Sequence, residues 1–345
     1  MRVHTISHTA LDAPGGVPRF NRYLHRVLAE AGYEMSHWCW ADAPGAFERY
    51  HTASEDQRAQ WLSLWLFQTR RVAPDDVVIG DGFWCGELAR LGCRRVISVA
   101  HGIWGHVTKS DFDAGVPPEN PGLHAAQVSH RLVHRSRGLP IVAVSRFIAD
   151  EMMAQWGIES TVINNAVDPD ELPPPTPRRL TRSLDDRTIV IHGINDPGNV
   201  NKGWDHIAAC MEGVPPEVTI LSLDQYHEMV GSPGKMETLA RADLVLAPSG
   251  FEGNSYFMLE ALSCDVPVIA YNVGLPYEIA MHDEYSDMVG MVLDRKFRDP
   301  RHTANALRWW CSRGHMTSPR EALSNFTSFD MFSWNWREIV GSICR

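Results

Sequence analysis

Residues 243–278 read DLVLAPSGFEGNSYFMLEALSCDVPVIAYNVGLPYE. The apolar run Leu244, Val245, Leu246, Ala247 stops at Pro248, the pattern of a short strand buried on both faces in a parallel sheet. Residues 255–263 have helical spacing, with Met258, Leu259 and Leu262 able to share an inward face. Residues 266–270 form a second strand, and Asn272, Val273 and Gly274 form the turn after it. In such a strand–loop–helix–strand unit the helix start offers unpaired N–H groups and a positive dipole end, which suit a phosphate. The loop Glu252, Gly253, Asn254, Ser255 lies at that mouth, outside the carboxyl end of the strand. Glu252 and Glu260 add carboxylates that can accept hydrogen bonds from sugar hydroxyls, so a phosphorylated ligand bearing hydroxyls fits. An ordinary parallel α/β unit with exposed glutamates fits these residues equally well.

At 345 residues the chain has length for two domains, each with its own core. Its 44% hydrophobic and 21% charged residues are those of a water-soluble globular protein. The formal net charge of −10 argues against broad, sequence-independent nucleic-acid binding. Seven scattered cysteines, none at C-x-x-C spacing, oppose a disulfide framework or zinc ribbon and favour a reducing compartment. No apolar run approaches a membrane span and the N-terminus lacks a signal core, which places the protein in the cytoplasm. The aromatic stripe Trp61, Leu62, Leu64, Trp65, Leu66, Phe67 leaves peripheral contact with the cytoplasmic face of a membrane open, although such a stripe is more often core.

Toward the N-terminus, residues 3–7 read as a first strand, and a loop containing Gly15 and Gly16 precedes a helical pattern over residues 20–31. A glycine pair there lets a ligand approach the backbone closely. Strands over residues 77–80 and 96–100 follow, the second ending in His101 and Gly102, where a loop lines a ligand crevice. His106, Lys109, Asp111 and Asp113 lie in a long polar segment beyond it. His130 and His134 have the i, i+4 spacing of a metal pair, but with no third ligand apparent they read as a solvated helical face. After strands at residues 141–145 and 161–164, the proline-rich LPPPTP at residues 172–177 marks a domain boundary. A new strand at residues 189–193 leads through a turn-rich loop to Lys202 and Gly203, and a lysine there is a good phosphate partner.

The two glutamates at this spacing, Glu260-Ala261-Leu262, the Pro267-Val268-Ile269 strand and the Asn272-Val273-Gly274 turn resemble the signature of family 4 of the retaining glycosyltransferases. The order AVSRF (residues 143–147), a helix, then VINNAVD (residues 162–168) resembles the same family, with Ala166 where a glycine is usual. The resemblance is clearest over residues 140–280. It implies an α/β chain of GT-B architecture, two facing Rossmann-like doubly wound domains with a C-terminal crossover helix. The matching boundaries are an acceptor-binding domain at residues 1–168, a proline-rich linker at 169–187, a nucleotide-sugar-binding domain at 188–325, and a helix at 326–345 packing back on the first domain.

By the same resemblance the chain transfers a sugar, with retention and without a metal, from a nucleotide-diphosphate sugar (UDP or GDP) to a hydroxyl. The acceptor is a glycan, a lipid-linked sugar or a small molecule, and the acidic balance speaks against a nucleic acid. The nucleotide sugar is a co-substrate and no cofactor is implied. His101, Glu252 and Lys202 match catalytic positions of the family. Gly15, Gly16, Lys202, Gly253, Asn254, Ser255, Tyr256 and Glu260 match donor-binding ones. Two positions depart from the pattern. Ile194 stands where the family carries a phosphate-binding arginine, with His192, Asn195 and Asn201 nearby, and Asn254-Ser255 replaces Phe-Gly. Two alternatives share the fold: a catalytically degenerate nucleotide- or glycan-binding protein, and a sugar-nucleotide epimerase. A nicotinamide oxidoreductase is disfavoured because no strand is followed by G-x-G-x-x-G.

Overall fold

The computed structural model describes residues 1–46, 51–103, 121–173, 187–191, 203–213, 219–221, 233–282, 290–294, 299–313 and 318–345. It divides into two compact units, Met1–Asn164 with Asp330–Arg345, and Asn165–Phe329.

In the first unit six strands form one sheet: β1 (Arg2–Ser7), β2 (Glu34–Cys39), β3 (Val77–Asp81), β4 (Arg95–Ala100), β5 (Ile141–Ala143) and β6 (Thr161–Val162). All pair in parallel, in the order β2-β1-β3-β4-β5-β6. β3 is buried at every position, as a central strand covered on both faces must be. The polar residues of β1 are satisfied inside. His4 Nε2 lies 3.2 Å from Asp76, and Thr5 Oγ1 lies 2.7 Å from His25 Nε2 and 2.8 Å from His37 Nδ1. Helix α1 (Gly16–Glu30) buries Phe20, Tyr23, Leu24, Val27 and Leu28, the face its spacing assigns. Helix α2 (Glu55–Gln68) starts in a Ser54/Gln57 capping box. Its Leu62 and Leu66 are fully buried, with Trp61, Trp65 and Phe67 half-buried on the same core. The aromatic stripe therefore builds a core. No helix among the described residues is long and apolar enough to cross a membrane.

Helices α3 (Gly86–Leu91), α4 (Pro121–Ser136) and α5 (Arg146–Trp156) complete the crossovers. The second unit holds β7 (Thr188–Ile191), β8 (Thr219–Leu221), β9 (Leu244–Ala247), β10 (Val268–Tyr271) and β11 (Gly290–Leu293). They too are all parallel, in the order β11-β10-β9-β7-β8. Its helices are α6 (Trp204–Gly213), α7 (Pro233–Arg241), α8 (Tyr256–Ser263), α9 (Leu275–Ile279), α10 (Pro300–Arg313) and α11 (Pro319–Ser324). Every residue of α8 from Phe257 to Ser263 is buried, because β9, β10, α7 and α11 surround it. It is an interior helix, wider in its buried face than the three-residue stripe suggests.

The last helix, α12 (Phe329–Cys344), lies almost wholly in the first unit. Trp336 is fully buried with its ring 5.6 Å from Phe20, and Arg337 Nε donates to the Val27 carbonyl at 3.3 Å. Each sheet reverses its strand order once, between β1 and β3 in the first and between β7 and β9 in the second. Loops leave neighbouring strands in opposite directions at such a point and open a crevice outside their carboxyl ends.

Candidate active site

At the β1/β3 reversal Gly15 caps α1 in the left-handed region (φ 122°), and Gly16 opens the helix. Both are exposed, and the first turn of α1 carries no acidic side chain, which leaves its N–H groups electrostatically open to an anion. Across the reversal β3 ends in Asp81, a buried carboxylate. It accepts from Asn21 Nδ2 at 3.2 Å and pairs with His101 Nε2 at 2.9 Å. The parallel register sets Asp81 opposite Val99, so the residue two positions on, just past β4, comes within reach of it. His101 is half-buried, edge-on to Phe20 at 4.7 Å. A proton on Nε2 facing the carboxylate makes Nδ1 the lone-pair nitrogen of the neutral ring. Sequence reasoning missed Asp81 and Asn21; the available signal was a carboxylate ending a strand next to one that ends in histidine.

At the β7/β9 reversal the loop of residues 248–255 joins β9 to α8. Glu252 is half-buried, Gly253 and Asn254 are buried, and Ser255 and Tyr256 are half-buried. Glu260, on the second turn, is only 1% exposed. Ser255 is the N-cap, its side chain makes no cap bond, and no acidic residue occupies the first turn. The loop backbone is held from several sides. Asn165 Nδ2 donates to the Asn254 carbonyl at 3.0 Å, and the Asn165 carbonyl accepts from Thr327 Oγ1 at 2.8 Å. Gly274 (φ 61°) lies so close that a Cβ would stand 3.0 Å from the Gly253 oxygen and 3.2 Å from that of Glu252. Gly203 (φ 74°) is pressed on Pro248, whose carbonyl oxygen a Cβ would strike. The residue after Lys202 thus lodges at the carboxyl end of β9.

Glu252, Gly253, Asn254, Ser255, Tyr256 and Glu260 are therefore brought together, and Gly15, Gly16 and His101 stand at the carboxyl edge of the other sheet. Lys202, with His192, Ile194, Asn195 and Asn201, lies outside the described residues, as do His106, Lys109, Asp111 and Asp113. The reading of His130 and His134 as a solvated face is corrected: they are 5% and 0% exposed. Their side of α4 packs on α3, where Gly86 has no Cβ to obstruct the His130 ring.

A model of glycosyltransferase family 4 matches residues 14–171, and a model of glycosyl transferases group 1 matches residues 223–326. The chain is a group 1/family 4 glycosyltransferase. The transferase has the GT-B fold of several solved structures. Sucrose-phosphate synthase from Thermosynechococcus elongatus is 12% identical, with TM-score 0.67 over 99% of the transferase and 98% of that chain. HepE of Anabaena, in complex with UDP-glucose, is 14% identical, with TM-score 0.66 over 99% of the transferase and 100% of that chain. WaaG, a glycosyltransferase involved in lipopolysaccharide biosynthesis, is 14% identical, with TM-score 0.64 over 99% and 95%. No curated protein sequence matches the transferase.

Proposed function

We propose that this glycosyltransferase moves a sugar from a UDP-sugar to a hydroxyl of a glycan, lipid-linked or small-molecule acceptor, with retention of anomeric configuration and without a metal in the transfer. The observation that carries the reading is the fixed Glu252–Ser255 loop at a sheet reversal, opening a helix whose N-cap side chain makes no cap bond and whose first turn carries no acidic residue. In this reading Glu252 binds sugar hydroxyls and Glu260 the ribose diol. The backbone of Gly253, Asn254 and Ser255, beside Tyr256 and with Lys202, receives the diphosphate. Gly15 and Gly16 keep the donor-binding role, and His101 the catalytic role, that the family resemblance gives them.

The bond from the anomeric carbon to the diphosphate oxygen breaks as the bond to the acceptor oxygen forms. The acceptor proton ends on the departing diphosphate. Negative charge grows on that group in the transition state, so preorganised N–H donors and Lys202 stabilise it more than the ground state. UDP is favoured over GDP because HepE, of the same fold, was solved with UDP-glucose and with UDP and glucose. Seven free thiols suit a cytoplasmic setting.

Melting curves with UDP, GDP and their sugars test the donor. A nucleotide at ~100 times its dissociation constant adds ~2.7 kcal/mol of stability. UDP is expected to raise the melting temperature of the wild type and to do so less in Glu260→Ala and Lys202→Ala. No response to any nucleotide would sink the proposal. Ile194 in place of arginine favours one second reading, a donor-binding protein without turnover. UDP binding with neither transfer nor donor hydrolysis would select it.

A further inference from the structure

Three side chains able to hold a metal meet in the interior of the first unit, apart from the residues assigned to the donor. Cys85 is the N-cap residue of α3, and His130 and His134 stand one turn apart on α4. Their ligand atoms, one from each residue, all lie within 4.8 Å of one another. Cys85 and His134 are fully buried and His130 nearly so. The histidine rings meet edge to face at 4.5 Å. None of their four ring nitrogens completes a hydrogen bond, and the Cys85 thiol donates to the Ile97 carbonyl at 3.6 Å. A buried imidazole needs a partner for its N–H and for its lone pair, and two such rings left unsatisfied side by side carry a full desolvation penalty. One bound cation would engage both lone pairs and the sulfur at once.

We propose that Cys85, His130 and His134 hold a single zinc-like divalent ion that ties α3 to α4, with water in the fourth position. A Cys-His-His set suits zinc or cobalt and not magnesium or calcium, which take oxygen ligands. Zinc–sulfur and zinc–nitrogen lengths of about 2.3 and 2.0 Å put tetrahedral ligand atoms about 3.3–3.6 Å apart, so the cluster needs to contract by about 1 Å. Gly86 permits the approach: a Cβ there would collide with the His130 ring. The protonation states follow the same geometry. Burial drives the His130 pKa well below the usual range and that of His134 down to about 4, so both rings are in the neutral, ligating form at neutral pH. Burial and the Asp81 charge raise the pKa of the thiol, so the incoming ion must displace its proton, which leaves to solvent. Arg131 and Arg90 oppose the ion's charge, while the thiolate and Asp81 offset them.

The test uses the full chain, stripped with a chelator and titrated with Co²⁺ alone. Wild type is expected to take up about one ion per chain, with the strong visible bands of a tetrahedral site and a thiolate-to-cobalt charge-transfer band. Cys85→Ser should abolish the charge-transfer band, and His130→Asn or His134→Asn should weaken cobalt binding at least about tenfold. Zinc should raise the melting temperature of wild type and leave that of Cys85→Ser unchanged. No cobalt spectrum in wild type, even after refolding with excess metal, overturns the proposal whether or not the variants fold. So does a charge-transfer band that persists in Cys85→Ser. Nucleotide binding is read separately, so failure of the donor assignment and failure of the metal site are distinguishable.

Discussion

Asp81 and His101 form a 2.9 Å polar pair at the carboxyl edge of the first sheet. On the role proposed for His101, Asp81 is a positioning residue: its carboxylate faces Nε2 and holds the ring. Asp81→Asn keeps the volume but offers an N–H as readily as an oxygen, so the tautomer is no longer set. Turnover is expected to fall on the order of 10²-fold while the donor KM changes little, which initial-rate kinetics with a saturating acceptor would separate. A second expectation concerns pH. His37 Nε2 donates to the Thr9 carbonyl at 2.8 Å, so its Nδ1 accepts from Thr5, whose oxygen in turn accepts from His25. Burial, with the adjacent His37, lowers the His25 pKa from 6.5 to about 4. The unfolded chain therefore binds the proton first, and stability present above pH 6.5 is lost as pH falls toward 4. The slope is up to about 1.4 kcal/mol per pH unit before solvent screening is discounted. Denaturant titrations at several pH values should show it, flattened in His25→Gln.

The residues of the β9–α8 loop were legible because they are contiguous and a helix start has one chemistry. Asp81 was not: it lies twenty positions from its partner, and strand register alone joins them. His130 and His134 misled because i, i+4 spacing defines a face and does not say what covers it.

Among the elements, glycine turns decide how well the donor loop is held. Gly274 combines a left-handed backbone with direct contact to the Glu252 and Gly253 carbonyls. Gly274→Ala is expected to cost about 1–2 kcal/mol for the conformation alone. Because the added methyl must push the loop, UDP affinity should fall several-fold as well. Calorimetric binding beside a melting curve checks both, and intact affinity at lowered stability would show that the loop does not transmit the strain. Gly203→Ala should be worse, since the obstacle is the Pro248 backbone. Strand β9 ends where its apolar run stops, at Ala247, as Pro248 dictates. Helix α8 begins one residue later than its spacing implies, because Ser255 serves as the cap. Its burial on all sides was hidden, since a short apolar helix gives the same pattern at an edge and in an interior.

For the whole molecule, the family resemblance implied two doubly wound domains and short apolar runs marked most of their strands, but β2 and β11 went unread, and the strand orders were not legible, since crossovers fix them through packing. The first unit draws on residues 330–345 as well as 1–164. Phe20 meets Phe332 at 5.8 Å, Trp336 at 5.6 Å and His101 at 4.7 Å. Trp336→Ala is expected to remove about 3–5 kcal/mol from that unit. In a denaturant melt its transition should then precede that of Asn165–Phe329, with activity lost in the earlier step. A single unshifted transition would contradict this.

That division of the first unit also has a timetable. Translation runs from one end, so the sheet begun first receives its closing helix only after the second unit has been synthesised. Until then the nascent chain displays Phe20 without Phe332 and Trp336. A ribosome paused between residues 165 and 329 carries an open aromatic patch, which is what a chaperone meets.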